Sequence, residues 1–538
     1  MSRSLYARLS HRFADRRSTM TRREALKASA AGFAAFLAAT RMTGCASSGG
    51  QGRSARADGG RPPRRHNGKT VVVVGAGFAG LACAYELIEF GYEVQVVDAR
   101  SRVGGRVMSF RDFVPGKVVE GGGELIGSNH LTWQAYATQF GLRMLDVTTE
   151  EDLAFPIRVG GRTLDEAEAE RLWMGMDKAL ATMNELAIGV SPDEPWASPD
   201  AEALDRRTVS DWIDALAVDA DTKGVLRLVM SSDNAVPVEN QSLLCMLAAV
   251  SGGGFQAYWE DSEVYRCRGG NQQLADNLAE RIRPFRILLN TPVESISYAG
   301  PGAASGEPAK VYTTTGQVLA ADEVVLAVPP SVWRHMFFAP ALPDWLNPQM
   351  GTAVKYLSAV RTRYWRDLGL APDSVSDGPC AMTWEGTDNQ RGAGASLHVF
   401  SGGNAAERLR DGTRAEVDAR VRTELEATYP GYTQQLMRGN NGSDTRFMDW
   451  PADPWTRAGY SFPAPGQLMR TGQTLHEGLG NLQFAGEHTC PAFVGYMEGA
   501  LRSGVLLAQR MALRDGAIQM PEPAATTAMA RAMAPAMD

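Results

Sequence analysis

The chain has 538 residues, 44% of them hydrophobic, which is enough for two domains with separate cores. Its six cysteines form no C-x-x-C pair and its seven histidines show no metal-ligand spacing, so we expect no structural metal. The formal charge is −7, but the first 66 residues hold 14 Lys/Arg against 3 Asp/Glu, which leaves −18 on the rest of the chain. An acidic body argues against a nucleic-acid partner and favours cationic substrates.

Residues 1–66 are typical of a targeting segment rather than of a fold. Residues 21–27 (TRREALK) resemble the twin-arginine export signal, and the uncharged, alanine-rich run 28–40 matches its short apolar region. We therefore expect 1–45 to be a signal for the Tat export machinery, which carries folded proteins, and the protein to be periplasmic or exported. The alternative is an ordinary disordered basic extension.

Two processing sites compete within this segment. Residues 42–45 (MTGC) are similar to a lipobox, which would make Cys45 a lipidated amino terminus that anchors the protein to the membrane. Residues 55–57 (ARA) offer a rival cleavage site. The stretch 46–68, rich in Gly, Arg and Pro, is predicted to be a linker.

Residues 69–98 predict a nucleotide-binding unit. The β-branched run Val71–Val74 predicts a strand, the G-x-G-x-x-G turn Gly75–Gly80 follows it, and apolar residues then recur at helical spacing. Gly75 permits a tight turn, Gly77 lets backbone approach a pyrophosphate, and Gly80 lets helix and strand pack together. Asp98 lies 18 residues beyond Gly80, where an acid accepts hydrogen bonds from the adenosine ribose.

The segment that follows this unit indicates which dinucleotide the chain binds. Residues 98–106 (DARSRVGGR) resemble the E-A-x-x-R-x-G-G-R segment of the flavin-containing amine oxidase family, which includes monoamine, polyamine and L-amino acid oxidases. The resemblance implies FAD as cofactor, with Arg100 and Arg106 on its pyrophosphate. With the glycine-rich segment described below and with family-like segments at 288–293 (LLNTPV), 482–489 (LQFAGEHT) and 495–504 (GYMEGALRSG), it implies these cofactor-binding residues: Gly75, Gly77, Phe78, Ala79, Gly80, Asp98, Ala99, Arg100, Gly105, Arg106, Gly122, Gly123, Glu124, Leu125, Val293, Gly486, Glu487, Tyr496 and Met497.

A glycine-rich segment resembles the sequence that members of this family place near the flavin. It spans residues 118–127 (VVEGGGELIG) and is similar to D/E-x-G-G-x-x-x-G. L-Amino acid oxidases commonly place an arginine near these glycines to bind the substrate carboxylate, and this chain has Leu125 there. The difference favours an amine over an amino acid as substrate.

The resemblance implies an α/β fold with a discontinuous, Rossmann-type FAD-binding domain and an inserted α+β substrate-binding domain. Helical periodicity at 172–187 and 209–217 belongs to the inserted substrate-binding domain. The motif at 265–274 (YRCRGGNQQL) marks the point where the chain returns to the FAD-binding domain. We place the FAD-binding domain at 69–150, 265–330 and 447–515, the substrate domain at 151–264 and 331–446, and a disordered tail at 516–538.

Three residues are candidates for catalysis by this resemblance. Lys355, within 350–356 (MGTAVKY), matches the family's lysine that holds a water against flavin N5 and assists reoxidation. Tyr460 and Tyr496 match the two walls of the monoamine oxidase aromatic cage, an electron-rich slot for a nitrogen. Gly459 stands where animal monoamine oxidases have the cysteine that attaches FAD, so we expect non-covalent FAD.

We therefore expect an FAD-dependent oxidase of amines. It would oxidise a C–N bond to an imine by hydride transfer to flavin N5 and reduce O2 to H2O2. Three alternatives stay open. They are an L-amino acid oxidase that gives a 2-oxo acid, ammonia and H2O2, a flavin desaturase or dehydrogenase with a quinone acceptor, and a flavin-binding protein without turnover.

Overall fold

The computed structural model describes residues 4–13, 67–148, 153–282, 286–302, 306–438 and 445–519. The twin-arginine motif, Cys45, most of the predicted linker and the tail from residue 520 lie outside these ranges, so the expectations for them remain predictions. Within the described ranges, no helix is long and apolar enough to cross a membrane. In the same ranges, His, Cys, Asp and Glu side chains form no group of three or more that could hold a metal ion.

A five-stranded parallel sheet forms the core of the nucleotide-binding half. Its central strand, Thr70–Val74, has four buried valines because both faces of the sheet are covered. The order across the sheet is Leu482–Phe484, Glu323–Leu326, Thr70–Val74, Glu93–Val97 and Ile287–Leu288. The strands come from separated stretches of chain, which confirms the expected discontinuous Rossmann-type α/β fold.

Helices cover one face of this sheet. The helix Phe78–Glu89 starts directly after the glycine turn and packs tightly on the last helix, Met497–Arg514. A Cβ on Gly504 would lie 2.8 Å from the backbone nitrogen of Cys83, so only a glycine permits this close crossing. The other helices of this half are Leu131–Phe140, Gln272–Ile282, Pro330–Trp333 and Gln467–Glu477.

A four-stranded sheet packs against the other face through a shared apolar core. Its order is Val318–Ala321, Ala309–Thr313, Val293–Ser297 and Phe337–Ala339. Because Phe337–Ala339 pairs with Val293–Ser297, the stretch that follows residue 331 starts within the nucleotide-binding half, and not in the substrate domain as expected. This half also contains two two-stranded sheets, formed by Ser109–Phe110 with Val119–Glu120 and by Met144–Asp146 with Tyr265–Cys267.

The substrate half contains a seven-stranded sheet. Its order is Thr445–Asp449, Ala353–Val360, Ala395–Gly402, Met382–Glu385, Ser374–Ser376, Ile157–Val159 and Arg162–Thr163. Strand Thr445–Asp449 pairs with Ala353–Val360, so the chain leaves this sheet after residue 449 rather than at the expected 447. Three helices follow within this half: Gly403–Arg410, Arg414–Thr428 and Tyr432–Gln435.

Residues 166–261 are mostly helical. The expected helices over 172–187 and 209–217 are present, and the first starts earlier, at Glu166, because Asp165 and Glu168 form a capping box. The helices are Glu166–Ala187, Ala201–Arg206, Val209–Ala215, Ala220–Asp233, Leu243–Gly253 and Gln256–Asp261. Single 3₁₀ turns lie at Pro195–Ala197, Val238–Asn240, Tyr364–Arg366, Trp450–Ala452, Glu487–Thr489 and Pro491–Phe493.

A helix at Leu5–Phe13 differs from the expectation that the first 66 residues stand outside the fold. Leu5, Tyr6 and Leu9 are 1%, 3% and 2% exposed and join the core of the substrate half. Tyr6 Oη donates to Asp177 at 2.6 Å, and Gln256 donates to Tyr6 Oη at 2.9 Å. Because the segment is strongly basic, its composition does not reveal this short amphipathic pattern. The helix buries its apolar face against the substrate half.

Candidate active site

A deep cavity is lined by residues of both the parallel sheet and the seven-stranded sheet. Its lining runs from the glycine turn and Asp98 to Lys355, Tyr460 and Tyr496. The cavity therefore brings the predicted nucleotide-binding residues and the predicted catalytic residues together. Of the residues predicted to bind cofactor or to act in catalysis, all except Gly80 line this cavity.

The glycine turn forms one wall. Gly75 has a φ of +112°, and a Cβ on it would lie 2.8 Å from the Ala327 carbonyl oxygen, so the turn requires glycine. A Cβ on Gly77 would approach only Gly105 Cα, at 4.0 Å, among the described residues. Gly77 is also the N-cap of helix Phe78–Glu89, so the helix presents its free N–H groups and positive dipole end to an anion there.

Gly80 lies away from the cavity. A Cβ on it would meet the Gly75 carbonyl and would lie 3.2 Å from Ala327 Cβ. Its small size permits the helix to pack against the strands, as the sequence predicted, but we correct its assignment as a cofactor-binding residue.

Asp98 connects the second strand to the turn. Its carboxylate accepts hydrogen bonds from the backbone N–H groups of Ala76, at 2.7 Å, and Arg100, at 2.8 Å. Burial raises the pKa of Asp98, and these two N–H groups oppose the rise. The carboxylate is thus oriented before any ligand binds, and its contact with a ribose stays a prediction.

Both predicted pyrophosphate arginines have protein partners. Arg100 forms a two-point ion pair with Asp453, at 2.8 and 2.7 Å. Arg106 donates to the Gly459 carbonyl oxygen at 2.8 Å and to Glu487 at 2.9 Å. These acids fix the two guanidinium groups at the cavity wall, and the role of the arginines toward a pyrophosphate stays a prediction.

Glu487 is 3% exposed and accepts hydrogen bonds from several separate parts of the chain. Besides Arg106, it accepts from Ser461 Oγ at 2.7 Å and from the Gly495 N–H at 2.9 Å. Burial raises its pKa, but the charge of Arg106 and these hydrogen bonds outweigh burial and lower it. Glu487 is therefore anionic and positions the loops around the cavity as well as lining it.

Lys355 lies on strand Ala353–Val360, the second strand of the seven-stranded sheet, and is 5% exposed. Its Nζ donates to the carbonyl oxygens of Glu120 and Gly122, at 3.0 and 3.2 Å, and to Glu124 Oε2 at 2.5 Å. The ammonium thus has three acceptors for its three protons. This arrangement holds a positive charge against the glycine-rich segment, next to the cavity.

Glu124 is the centre of a buried ionic network. Its Oε1 accepts from Arg266 Nε at 2.7 Å and from Trp384 Nε1 at 2.9 Å, and His398 Nδ1 lies 3.1 Å from Oε2. Burial raises its pKa, but the charges of Lys355 and Arg266 and the hydrogen bond with His398 bring it well below its usual range. The residue was predicted to bind cofactor, and the structure shows that its carboxylate holds Lys355.

Tyr460 and Tyr496 both line the cavity. Tyr460 Oη donates to the backbone carbonyl oxygen of Asp233 at 2.6 Å, and its ring packs on Gly495, where a Cβ would lie 2.9 Å from a ring carbon. Tyr496 meets the His130 ring edge-on, with centroids 5.2 Å apart. Burial raises the pKa of both phenols, so both are neutral and present electron-rich faces.

Gly459 and Leu125 are two departures from family patterns that the structure explains. A Cβ on Gly459 would lie 2.6 Å from Ala353 Cβ, so a cysteine does not fit here without a shift of the strand. Leu125 is 5% exposed and gives the wall an apolar side chain where an amino acid oxidase would have a cation.

Sequence reasoning missed part of the lining. His488 is buried, and neither ring nitrogen has a hydrogen-bond partner among the described residues. Burial lowers its pKa to about 4. Orphaned polar atoms in a cavity wall fit a polar ligand, as the open glycine cradle does. Others missed are Thr291, Val328, Val332, His335, Met336, Trp450, Trp455, Arg457 and Ala500. Trp450, Trp455 and Arg457 lie in the stretch 450–460 (WPADPWTRAGY) that ends at Tyr460, and His488 directly follows Glu487, so proximity to predicted residues was the available signal.

The fold and this cavity define a dinucleotide-binding flavoprotein. The family model described as flavin containing amine oxidoreductase matches residues 78–512, and a model of pyridine nucleotide-disulphide oxidoreductases matches residues 30–123. The chain therefore belongs to the flavin containing amine oxidoreductase family, as its motifs predicted.

Individual relatives cover most of the chain. A putrescine oxidase of Kocuria rosea is 28% identical over 82% of this chain and 94% of its own length. An L-amino acid dehydrogenase of Synechocystis sp. is 25% identical over 80% and 92%, respectively. The solved structure of cyclohexylamine oxidase from Brevibacterium oxydans superposes with a TM-score of 0.72 at 25% identity, and covers 83% of this chain and 99% of that one.

The protein is thus an FAD-dependent amine oxidoreductase. The residues that fit the cofactor are the glycine cradle, Asp98 and the wall around His488. Since Gly459 has no thiol, that position cannot hold FAD covalently.

Proposed function

We propose that the protein oxidises a C–N bond of an amine to an imine and passes the electrons to O2, which yields H2O2. The observation that supports this proposal most directly is that Tyr460, Tyr496 and Lys355 lie in one cavity with the nucleotide-binding turn. Bound FAD supplies the acceptor for a hydride from the carbon next to the nitrogen. Water then hydrolyses the imine to a carbonyl compound and ammonia or an amine.

The two tyrosines select and orient the nitrogen. Their neutral aromatic faces attract a cationic amine, and the desolvation they impose favours loss of its extra proton. The neutral amine then has the lone pair that becomes the second bond of the imine. The hydrogen bond from Tyr460 to the Asp233 carbonyl fixes one wall of the slot, which lowers the entropic cost of alignment.

Lys355 is the residue we assign to the reaction with oxygen. Glu124 holds its ammonium in place, so it is a fixed positive charge beside the cavity where negative charge develops on O2. We propose that it acts through a water molecule.

Replacing Lys355 tests this role. Lys355→Met should slow reoxidation of the reduced protein by air far more than it slows reduction by amine, because the substrate slot keeps both tyrosines. Stopped-flow absorbance of the flavin measures the two half-reactions separately. Equal losses in both would refute the assignment.

The substrate class is tested by anaerobic mixing with a panel of amines and L-amino acids. We expect loss of the visible flavin absorbance with amines and, on admission of air, its return together with H2O2. An L-amino acid would need a cation for its carboxylate, but Leu125 is apolar and Arg100 and Arg106 are paired with acids. Bleaching by amino acids alone would overturn the amine assignment. Bleaching without reoxidation by air would favour a dehydrogenase with a quinone acceptor.

Export by the Tat pathway is a further part of the proposal. The twin arginines at 22 and 23 support it, and Cys45 supports a lipid anchor. Cell fractionation should find the native chain in the periplasm and the double variant Arg22→Lys, Arg23→Lys in the cytoplasm. If Cys45→Ala changes neither the mass nor the membrane-bound fraction, the anchor is refuted.

A further inference from the structure

Arg457 lines the large cavity and stands in the chain between two contacts of the predicted pyrophosphate arginines. On one side of it, Arg100 donates to Thr456 Oγ1 at 2.8 Å. On the other side, Arg106 donates to the Gly459 carbonyl oxygen at 2.8 Å. The backbone of Arg457 is thus held near both guanidinium groups, at the wall where the sequence predicts the pyrophosphate.

The turn that carries Arg457 has a fixed and strained backbone. The N–H of Arg457 donates to the Asp453 carbonyl oxygen at 2.9 Å, and Ser331 Oγ donates to the Thr456 carbonyl oxygen at 2.5 Å. Arg457 has a φ of +53°, in the left-handed region that residues other than glycine, asparagine and aspartate rarely adopt. Backbone strain of this kind is concentrated at sites that bind a ligand.

The guanidinium group of Arg457 is available to a ligand. Its Nε donates to a backbone carbonyl oxygen of the same turn at 3.2 Å, and within the described ranges no carboxylate pairs with it. Arg100 and Arg106, in contrast, form ion pairs with acids at 2.7 and 2.9 Å. The Nη groups of Arg457 therefore keep their hydrogen-bond donors for a partner from outside the chain.

The charges around the cavity favour an anion at this place. Among the described residues that line it, Arg457 alone carries a positive charge with no acid paired to it. His335 lies at the same rim, where desolvation and the charges of Arg457 and Arg334 lower its pKa, so its ring is neutral at pH 7. A pyrophosphate brings two negative charges, which need an opposite charge when they leave water.

We infer that Arg457 binds the pyrophosphate of FAD through its guanidinium group and thereby retains a cofactor that has no covalent link at position 459. A guanidinium can donate two parallel hydrogen bonds to phosphate oxygens. Arg100 and Arg106 then order the wall through their acids, while Arg457 supplies the net positive charge. The inference concerns retention of the cofactor and holds for any substrate that the protein oxidises.

The first test measures the affinity of the protein for FAD. The holoenzyme is diluted, and the released FAD is separated by filtration and quantified. For Arg457→Gln we expect the affinity to fall by about 10- to 100-fold, the effect of one charged hydrogen-bonded contact. Arg334→Gln is the matched control, because it removes an exposed arginine of the same rim that does not line the cavity, and it should keep the native affinity. Equal losses in both variants would mean that general surface charge holds FAD, and would overturn the inference.

A second measurement identifies the part of FAD that Arg457 contacts. The full chain, freed of FAD, is titrated with ADP, which carries the pyrophosphate, and with riboflavin, which carries none. Arg457→Gln should weaken ADP binding by the same factor as FAD binding and leave riboflavin binding unchanged. The affinity for ADP should also fall less steeply with salt in this variant than in the native protein. Unchanged ADP binding, or an equal loss for riboflavin, would refute the contact.

Arg457→Gly separates a role toward the ligand from a structural role. Glycine adopts the left-handed conformation without steric cost, so without FAD this variant should unfold at the native temperature or higher. Its affinity for FAD should nevertheless fall as in Arg457→Gln, and Arg457→Lys, which keeps the charge but not the planar pair of donors, should retain part of it. A lower unfolding temperature of Arg457→Gly without FAD would show that Arg457 stabilises the turn itself, and the inference would fail. It would also fail if the glycine and glutamine variants held FAD as tightly as the native protein.

Discussion

At the scale of single residues, Glu124 shows how a site residue acts through its neighbours. Its side chain is 1% exposed and forms ion pairs with Lys355 and Arg266. Arg266 has a second carboxylate partner in Asp388, whereas among the described residues Lys355 forms its ion pair with Glu124. Lys355 keeps its position beside the cavity for this reason.

Glu124→Gln should therefore destabilise the protein by about 3–5 kcal/mol, because it leaves the buried ammonium of Lys355 without a counter-charge and Arg266 with Asp388 alone. Denaturant unfolding measures the loss. Glu202→Gln is the matched control, since it breaks the exposed pair with Arg206 and should cost less than about 0.5 kcal/mol. Equal stability of both variants would show that the network does not carry this energy.

His130 is a second residue whose burial has a measurable consequence. It is 0% exposed, its Nδ1 accepts the N–H of Gly127 at 2.8 Å, and burial lowers its pKa to about 3. Because the folded pKa lies below the unfolded value of about 6.5, its contribution is complete above pH 6.5 and is lost as the pH falls.

His130→Asn keeps an acceptor for Gly127 but cannot be protonated. Relative to this variant, the native protein should lose about 1 kcal/mol of unfolding free energy between pH 6.5 and 5.5. The difference between the two proteins, measured by denaturant titration at each pH, isolates this residue from the other titrating groups. A difference that is independent of pH would contradict the assignment of a neutral, buried imidazole.

At the scale of elements, the helix Leu5–Phe13 is the clearest departure from expectation. Nine residues do not form a stable helix alone, so its structure depends on the substrate half against which it packs. Ala7, Arg8 and His11 of this helix also line a second cavity, which Tyr496 lines as well. Processing at either predicted cleavage site would remove it.

Leu9→Ala in the full chain should cost about 2–5 kcal/mol, because Leu9 is 2% exposed within the core of the substrate half. Arg12→Gln on the same helix removes an exposed ion pair to Glu166 and an exposed hydrogen bond to the Leu153 carbonyl oxygen, and should cost under about 1 kcal/mol. Thermal unfolding of the two variants makes the comparison. Equal effects would mean that the helix does not dock in solution.

At the scale of the whole molecule, the large cavity joins both halves. Its lining combines the glycine turn and the strands around Val97 with Lys355 and Phe400 of the seven-stranded sheet. A ligand in this position binds only when both halves are folded, so its binding free energy adds to the stability of the complete protein.

Removal of FAD should therefore lower the unfolding temperature of both halves together, and added FAD should raise it with concentration. Differential scanning calorimetry at several FAD concentrations tests this. Acid precipitation of the protein should leave all of the flavin in the supernatant, because no cysteine stands at position 459. Flavin that stays with the precipitate would reveal a covalent link elsewhere.

The sequence by itself determined the nucleotide-binding unit, the cofactor and the family. Its signals are local: four β-branched residues, three glycines at fixed spacing and a helix that starts where they end. Such elements form from neighbouring residues, so spacing alone reveals them. The family motifs likewise located Lys355, Tyr460 and Tyr496, which lie in the same cavity.

Only the tertiary structure decided how these residues are held and what lies behind them. Glu124 meets Arg266, Trp384 and His398 across more than a hundred residues of chain, so no spacing predicts the contacts. Asp233 and Glu263 carry no distinguishing pattern in the sequence, and their position in a cavity beside Tyr496 appears once the chain is folded. The reason is physical, because burial and the local electric field depend on long-range packing, and these two quantities set the charge state and the selectivity of the site.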